Sequence, residues 1–172
     1  MGYASIEIVP VLTEDSAYTV LDVLFENTSF ELPSKGCKII SLFAYDKGAG
    51  LTDADVFDLF FFRDNVANLG AMHATANISE ADFKSNRPLG MCRLIHEEAE
   101  IHNEIDNLEF MQGTALNQTS MTNRPKTDIS LVLQGDTSTG VGNTCYVSGV
   151  VHTGTPTFAD VDDLVIVLSI EY

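Results

Sequence analysis

Tryptophan is absent from the sequence, and basic side chains are scarce. Nine Lys and Arg stand against 25 Asp and Glu, a formal net charge of −16. Such a field repels a phosphate backbone or an anionic lipid surface, which sets nucleic acid and membrane aside as partners. The acidity itself reads as solubility at high local concentration. The missing indoles count against a carbohydrate-binding platform, since sugar faces are often stacked on them. Cysteine is also rare. Cys37, Cys92 and Cys145 lie far apart, form no Cys-x-x-Cys pair, and each sits in or beside an apolar run. That pattern excludes a disulfide framework and a cysteine zinc site, and it reads as buried, reduced thiols. No apolar run approaches the roughly 20 residues of a membrane helix. The N-terminus has no basic region, and Glu7, Glu14 and Asp15 interrupt its apolar residues. The expectation is a chain that folds in a cytosol without a targeting segment. The sequons at Asn27, Asn77 and Asn117 are then coincidence.

Catalytic signatures are missing as well. Neither a G-x-S-x-G nor an H-E-x-x-H motif occurs. The run Gly135-Asp136-Thr137-Ser138-Thr139-Gly140-Val141-Gly142 has the glycines of a phosphate loop. It lacks the Lys-Ser/Thr that must follow them, so it reads as a hairpin loop. Asp160-Val161-Asp162-Asp163 and Asp53-Ala54-Asp55 do not follow a calcium-loop pattern and read as solvated turn carboxylates. The sharpest local feature is His96-Glu97-Glu98-Ala99-Glu100-Ile101-His102. In an extended chain His96, Glu98, Glu100 and His102 share one face, two imidazoles and two carboxylates that suit a divalent metal. Successive members of such a stripe are ~6.5–7 Å apart, too loose for a site built from one strand, so a solvated acidic hairpin is the preferred reading. No enzyme and no cofactor are expected.

What the sequence does hold is short β-rich runs in one domain, residues 1–172. The densest are Ile129–Leu133, Cys145–Val151 and Leu164–Ile170, read as consecutive antiparallel strands through the middle of a sandwich. Tyr3 to Leu12 is a first strand whose Pro10 marks an edge or an end. Ala17 to Glu26 is a second, with Ala17, Thr19, Leu21, Val23 and Phe25 on the better core face. Cys37 to Tyr45, Val56 to Arg63 and Leu89 to His96 follow, with Met72 to Asn77 a further short candidate. Ser79 opens a short helix as N-cap, with Glu80 and Asp82 in its first turn, and Pro88 stops it. The fold class is therefore all-β: an antiparallel β-sandwich or jelly roll of about eight to ten strands with one short helix.

The irregular parts hold the candidate contacts. Asn27 to Lys35 reads as a loop, and its Phe30 and Leu32, next to Pro33, either tuck beneath it or meet a partner. Leu59-Phe60-Phe61-Phe62 makes one strand apolar on both faces, so Phe60 and Phe62 need cover from a helix, a loop or a neighbouring subunit. Glu97 to Asn107 and Gln112 to Lys126 are acidic or polar and carry no period.

Several stretches together resemble a group of tailed-phage virion proteins, cyanophage-like and of jelly-roll type. They are Phe25-Glu26-Asn27-Thr28 with Leu32-Pro33-Ser34-Lys35-Gly36, Asn77-Ile78-Ser79-Glu80-Ala81-Asp82, Leu89-Gly90, and the C-terminal runs around Gly154-Thr155-Pro156-Thr157-Phe158. The resemblance spans roughly Ala17 to Tyr172 and transfers no catalytic residue. The segments after His96 and from Gln112 to Lys126 depart from it. It implies a cement or decoration protein on the head exterior, made in the host cytoplasm, with the major capsid protein and its own copies in a homotrimer as partners. A tail, neck or head-fibre protein and a β-sandwich glycan-binding module are the alternatives.

Overall fold

The alternation of Leu164, Ile166, Leu168 and Ile170 with Val165, Val167 and Ser169 is that of a strand with one face in a core. All four members of the first set are buried. The computed structural model describes residues 1–48, 50–52, 54–96, 109–115, 129, 131–135 and 142–172. Its elements are β1 (Tyr3–Ile8), β2 (Val23–Glu31), β3 (Gly36–Asp46), β4 (Val56–Phe62), α1 (Glu80–Ser85), β5 (Pro88–Ile95), β6 (Glu109–Ala115), β7 (Leu131–Gln134), β8 (Thr144–Thr153) and β9 (Leu164–Glu171). The named strands pair only antiparallel.

Hydrogen bonding joins them in the order β1-β9-β3-β6-β5-β4-β8-β2, with β7 on β3. The single sheet is curled, so that its end strands β1 and β2 come into contact, and it can be divided at the β6–β5 pair into two halves. Leaving β7 aside, β1, β3, β6 and β9 lie in one half and β2, β4, β5 and β8 in the other, so the chain crosses between the halves at every step except β4 to β5. This is the wrapping of a jelly roll, and the all-β expectation holds. One hydrophobic cluster fills the space between the halves. It includes Ile39, Leu42, Ile166 and Leu168 from one side and Phe25, Phe57, Leu59, Phe61 and Val147 from the other.

The three C-terminal runs are strands, but they are not neighbours. β7 pairs with β3, β8 lies between β4 and β2, and β9 lies between β1 and β3. β7 and β8 therefore do not form a hairpin, and the loop read between them lies, at residues 136–141, outside the described residues. The second strand also begins later than its alternation suggests. Residues 17–22 form loop and turn, and β2 runs on through Asn27 to Glu31, which read as loop. Register shifts between Val23 and Phe25 and between Phe25 and Thr28 break the period, so Val23, Leu24 and Phe25 are all buried. Tyr18, expected on the outer face, is buried too. Its hydroxyl accepts from the Thr13 N–H at 2.7 Å and donates to the Leu24 carbonyl at 3.1 Å. Leu21, expected inside, is 56% exposed in a turn. Gly149 sits opposite Phe25, and a Cβ there would run into that ring, so mid-strand glycine is required.

The helix starts where its cap indicates. The Ser79 side chain accepts from the Asp82 N–H at 3.1 Å, and the helix ends at Asn86, two residues before Pro88. Residues Met72 to Asn77 form no strand and make only isolated bridges, at Met72 and Thr75. Residues 63–86 lie over the outer face of β4. Leu69, Ala76, Ile78 and Phe83 pack there against Phe60, Phe62, Val23 and Val150 in a second, smaller cluster.

Candidate functional site

The candidate contact residues are mostly occupied within the chain. Phe30 and Leu32 belong to the main core, where the Phe30 ring meets Phe61 edge-on with centroids 6.3 Å apart. Phe62 is fully buried beneath Phe83, and Phe60 is half-buried against the same ring, at 5.5 and 6.2 Å. The reading of Phe30, Leu32 and Phe62 as partner contacts is corrected by their burial, while Phe60 keeps part of its surface; the cover over β4 comes from α1 and the loop before it. Pro33 alone of the set is exposed. Of the acidic stripe, His96 is buried at the end of β5, while Glu98, Glu100 and His102 lie outside the described residues. Among the described residues, no group of three or more His, Cys, Asp or Glu is placed to hold a metal ion.

Several carboxylates expected at the surface work inside loops instead. Asp55 is buried, and its two oxygens accept from the N–H groups of Thr155 at 3.0 Å and Thr52 at 2.5 Å. Asp163 is buried and accepts from the Asp160 N–H at 2.8 Å. Asp46 ends β3 fully buried and accepts from the Gly48 and Gly50 N–H groups at 3.0 and 2.6 Å. Burial pushes its carboxyl above the usual range, those N–H groups pull it back, and the nearby Asp163 adds like charge. Asp162 stays exposed beside Lys47 at 2.9 Å, and that hydrogen bond holds its carboxyl below the usual range. Asp53 lies outside the described residues.

One charged constellation had a legible signal that was passed over. Asp58 is the only charged residue of β4, in the run Val-Phe-Asp-Leu-Phe-Phe-Phe. A carboxylate in such a strand demands a partner. Arg93 on β5 supplies it with a two-pronged bond, Nε to Oδ1 at 2.7 Å and Nη2 to Oδ2 at 3.0 Å. His152 on β8 completes the group, with Nδ1 3.1 Å from Arg93 Nη2 and 3.2 Å from Asp58 Oδ2. The group ties β4 to both neighbours and neutralises the carboxylate.

The other half of the sheet presents an unlike surface. Register places its outward residues in cross-strand rows. Tyr3, Glu171, Lys38 and Val132 form one, and Ser5, Ser169 and Ser41 the next. Glu7, Val167, Phe43 and Gln112 follow, then Val165, Tyr45 and Phe110. A bulge after Ile39 adds Ile40 to this face. Tyr3 and Val132 are 66% and 62% exposed, and Ile40 and Phe43 also reach solvent. Tyr45 and Phe110 touch, with ring centroids 6.2 Å apart. Sequence reading missed this face because its members come from five strands. No family model, no curated protein and no solved structure matches the chain.

Proposed function

We propose that the chain is a non-enzymatic structural protein of a tailed-phage virion, a cement or decoration protein that binds the outside of the major capsid shell as a homotrimer. The observation that carries this reading is the strand order, in which the chain crosses repeatedly between two half-sheets around one core, β4 and β5 alone staying in one half as a hairpin when β7 is left aside. Jelly rolls of this kind serve widely as capsid building blocks. The support is thus architectural, joined to the virion-protein resemblance of the sequence. The charge agrees with it. A protein seated outside a DNA-filled shell needs no basic surface, and −16 keeps the free protein soluble.

The test uses shells assembled without this chain from the major capsid protein of the virion in which it is proposed to sit. Added purified protein is expected to sediment with the shells and to raise their resistance to heat and chelation. Shells that neither retain the protein nor gain resistance would overturn the reading. Gold labelling confined to tails or necks would overturn the placement on the head.

A further inference from the structure

The two outer faces of the sheet are treated differently. Over β4 and β8 the chain lays its own cover, in which Leu69, Ile78 and Phe83 sit on Phe60, Phe62 and Val150. Over β9 and β3 the apolar residues Ile40, Phe43 and Val132 remain exposed, beside half-buried Tyr45 and Phe110, while Val165 and Val167 between them are buried. We propose that this face, centred on Phe43 and bounded by Tyr3 and Val132, is the contact between copies of this chain.

Charge chooses the occupant. The chain carries 25 acids against nine bases, so two copies meeting at random oppose strong like charge. Here the outward residues include two acids, Glu7 and Glu171, and one base, Lys38, a net charge of −1. Lys38 and Glu171 stand in one cross-strand row at the rim. A face holding both signs at its edge and none at its centre accepts a neighbouring copy, and in a closed trimer that contact is head-to-tail, this face against a different surface of the neighbour. A strongly basic partner would find little to grip here.

Size agrees. Four strands set ~4.8 Å apart, over seven or eight residues of ~3.3 Å each, give a patch of roughly 20 by 25 Å. Relief and rim residues extend its accessible area toward the ~800 Å² per partner of a stable interface. The inference rests on the proposed reading for its trimeric stoichiometry alone, and it does not depend on shell binding.

The experiment is sedimentation of the purified full chain at micromolar concentration, beside Phe43→Glu and Val132→Glu. Wild type is expected as a discrete oligomer, the trimer by the proposed reading, and each variant as an 18.7 kDa monomer that still unfolds cooperatively. Val132 is 62% exposed, so its variant keeps the test open if Phe43→Glu fails to fold. A monomeric wild type overturns the proposal, and so do folded variants that keep the wild-type mass. An oligomer that ignores capsid shells supports this interface and removes the cement reading. A monomer that binds shells does the reverse.

Discussion

Cys92 and Cys145 show how much one residue's surroundings decide. Both thiols are buried, and burial pushes each up to about 12 from an ordinary 9.0. The thiolate is the nucleophile, so a three-unit rise cuts its population about a thousandfold at pH 8, before access is counted. Native protein is expected to leave both unreacted with a thiol-disulfide reagent at pH 8, while denaturant releases all three cysteines. Rapid native labelling of either would show that β5 or β8 opens readily. The linkage has a definite sign. The thiols ionise near 9 in the unfolded chain and near 12 in the folded one, so the stability they contribute is complete below pH 9 and is lost as pH rises from 9 towards 12. This burial was legible, because each cysteine stands in or beside an apolar run. The burial of Asp46, Asp55 and Asp163 was not. A loop carboxylate looks the same in sequence whether it faces water or accepts backbone N–H groups, and only the closed loop tells them apart.

At the scale of the element, α1 is a six-residue helix that isolated physics would not sustain. Its cap and its packing do different work, and two substitutions separate them. Ser79→Ala removes the acceptor for the Asp82 N–H and is expected to cost about 1 kcal/mol. Phe83→Ala removes the ring that touches Phe60 and Phe62 and is expected to cost about 2 kcal/mol, less than a fully buried Phe because Phe83 is partly exposed. Urea unfolding measures both. A dye that binds apolar surface separates them, since only Phe83→Ala uncovers β4. Equal costs without dye binding would mean that the helix is not the cover of that strand. The cap was readable because Ser79, Glu80 and Asp82 act locally. The course of β2 was not. Its Asn27-Thr28-Ser29 text is that of a loop, yet two bulges let it continue along β8 while turning Phe30 back into the core.

For the molecule as a whole, sequence patterns located most strands but not their order. Tyr3 pairs with Glu171, and Phe30 with Cys145, so the sheet is built from contacts across nearly the entire chain. Local periodicity carries no information about such pairings, which is why three runs adjacent in sequence proved not to pair with one another. The same long-range closure brings the acids of the described residues into one body, in a chain of net charge −16. Self-repulsion then opposes the native state, because unfolding lets the charges separate. Salt should relieve this. Between 0.01 M and physiological ionic strength the screening length falls from about 30 Å to about 8 Å, which silences most pairs on opposite sides of the protein. The melting temperature is expected to rise with NaCl by several degrees, at roughly 2–4 °C per kcal/mol for a chain of this size. KCl should match NaCl, since screening depends on ionic strength and not on the cation. A carboxylate site that gains stability by binding one cation would instead separate the two salts. A melting temperature that stays flat or falls with salt would mean that pairs such as Asp58–Arg93 and Lys47–Asp162 already offset the net charge locally.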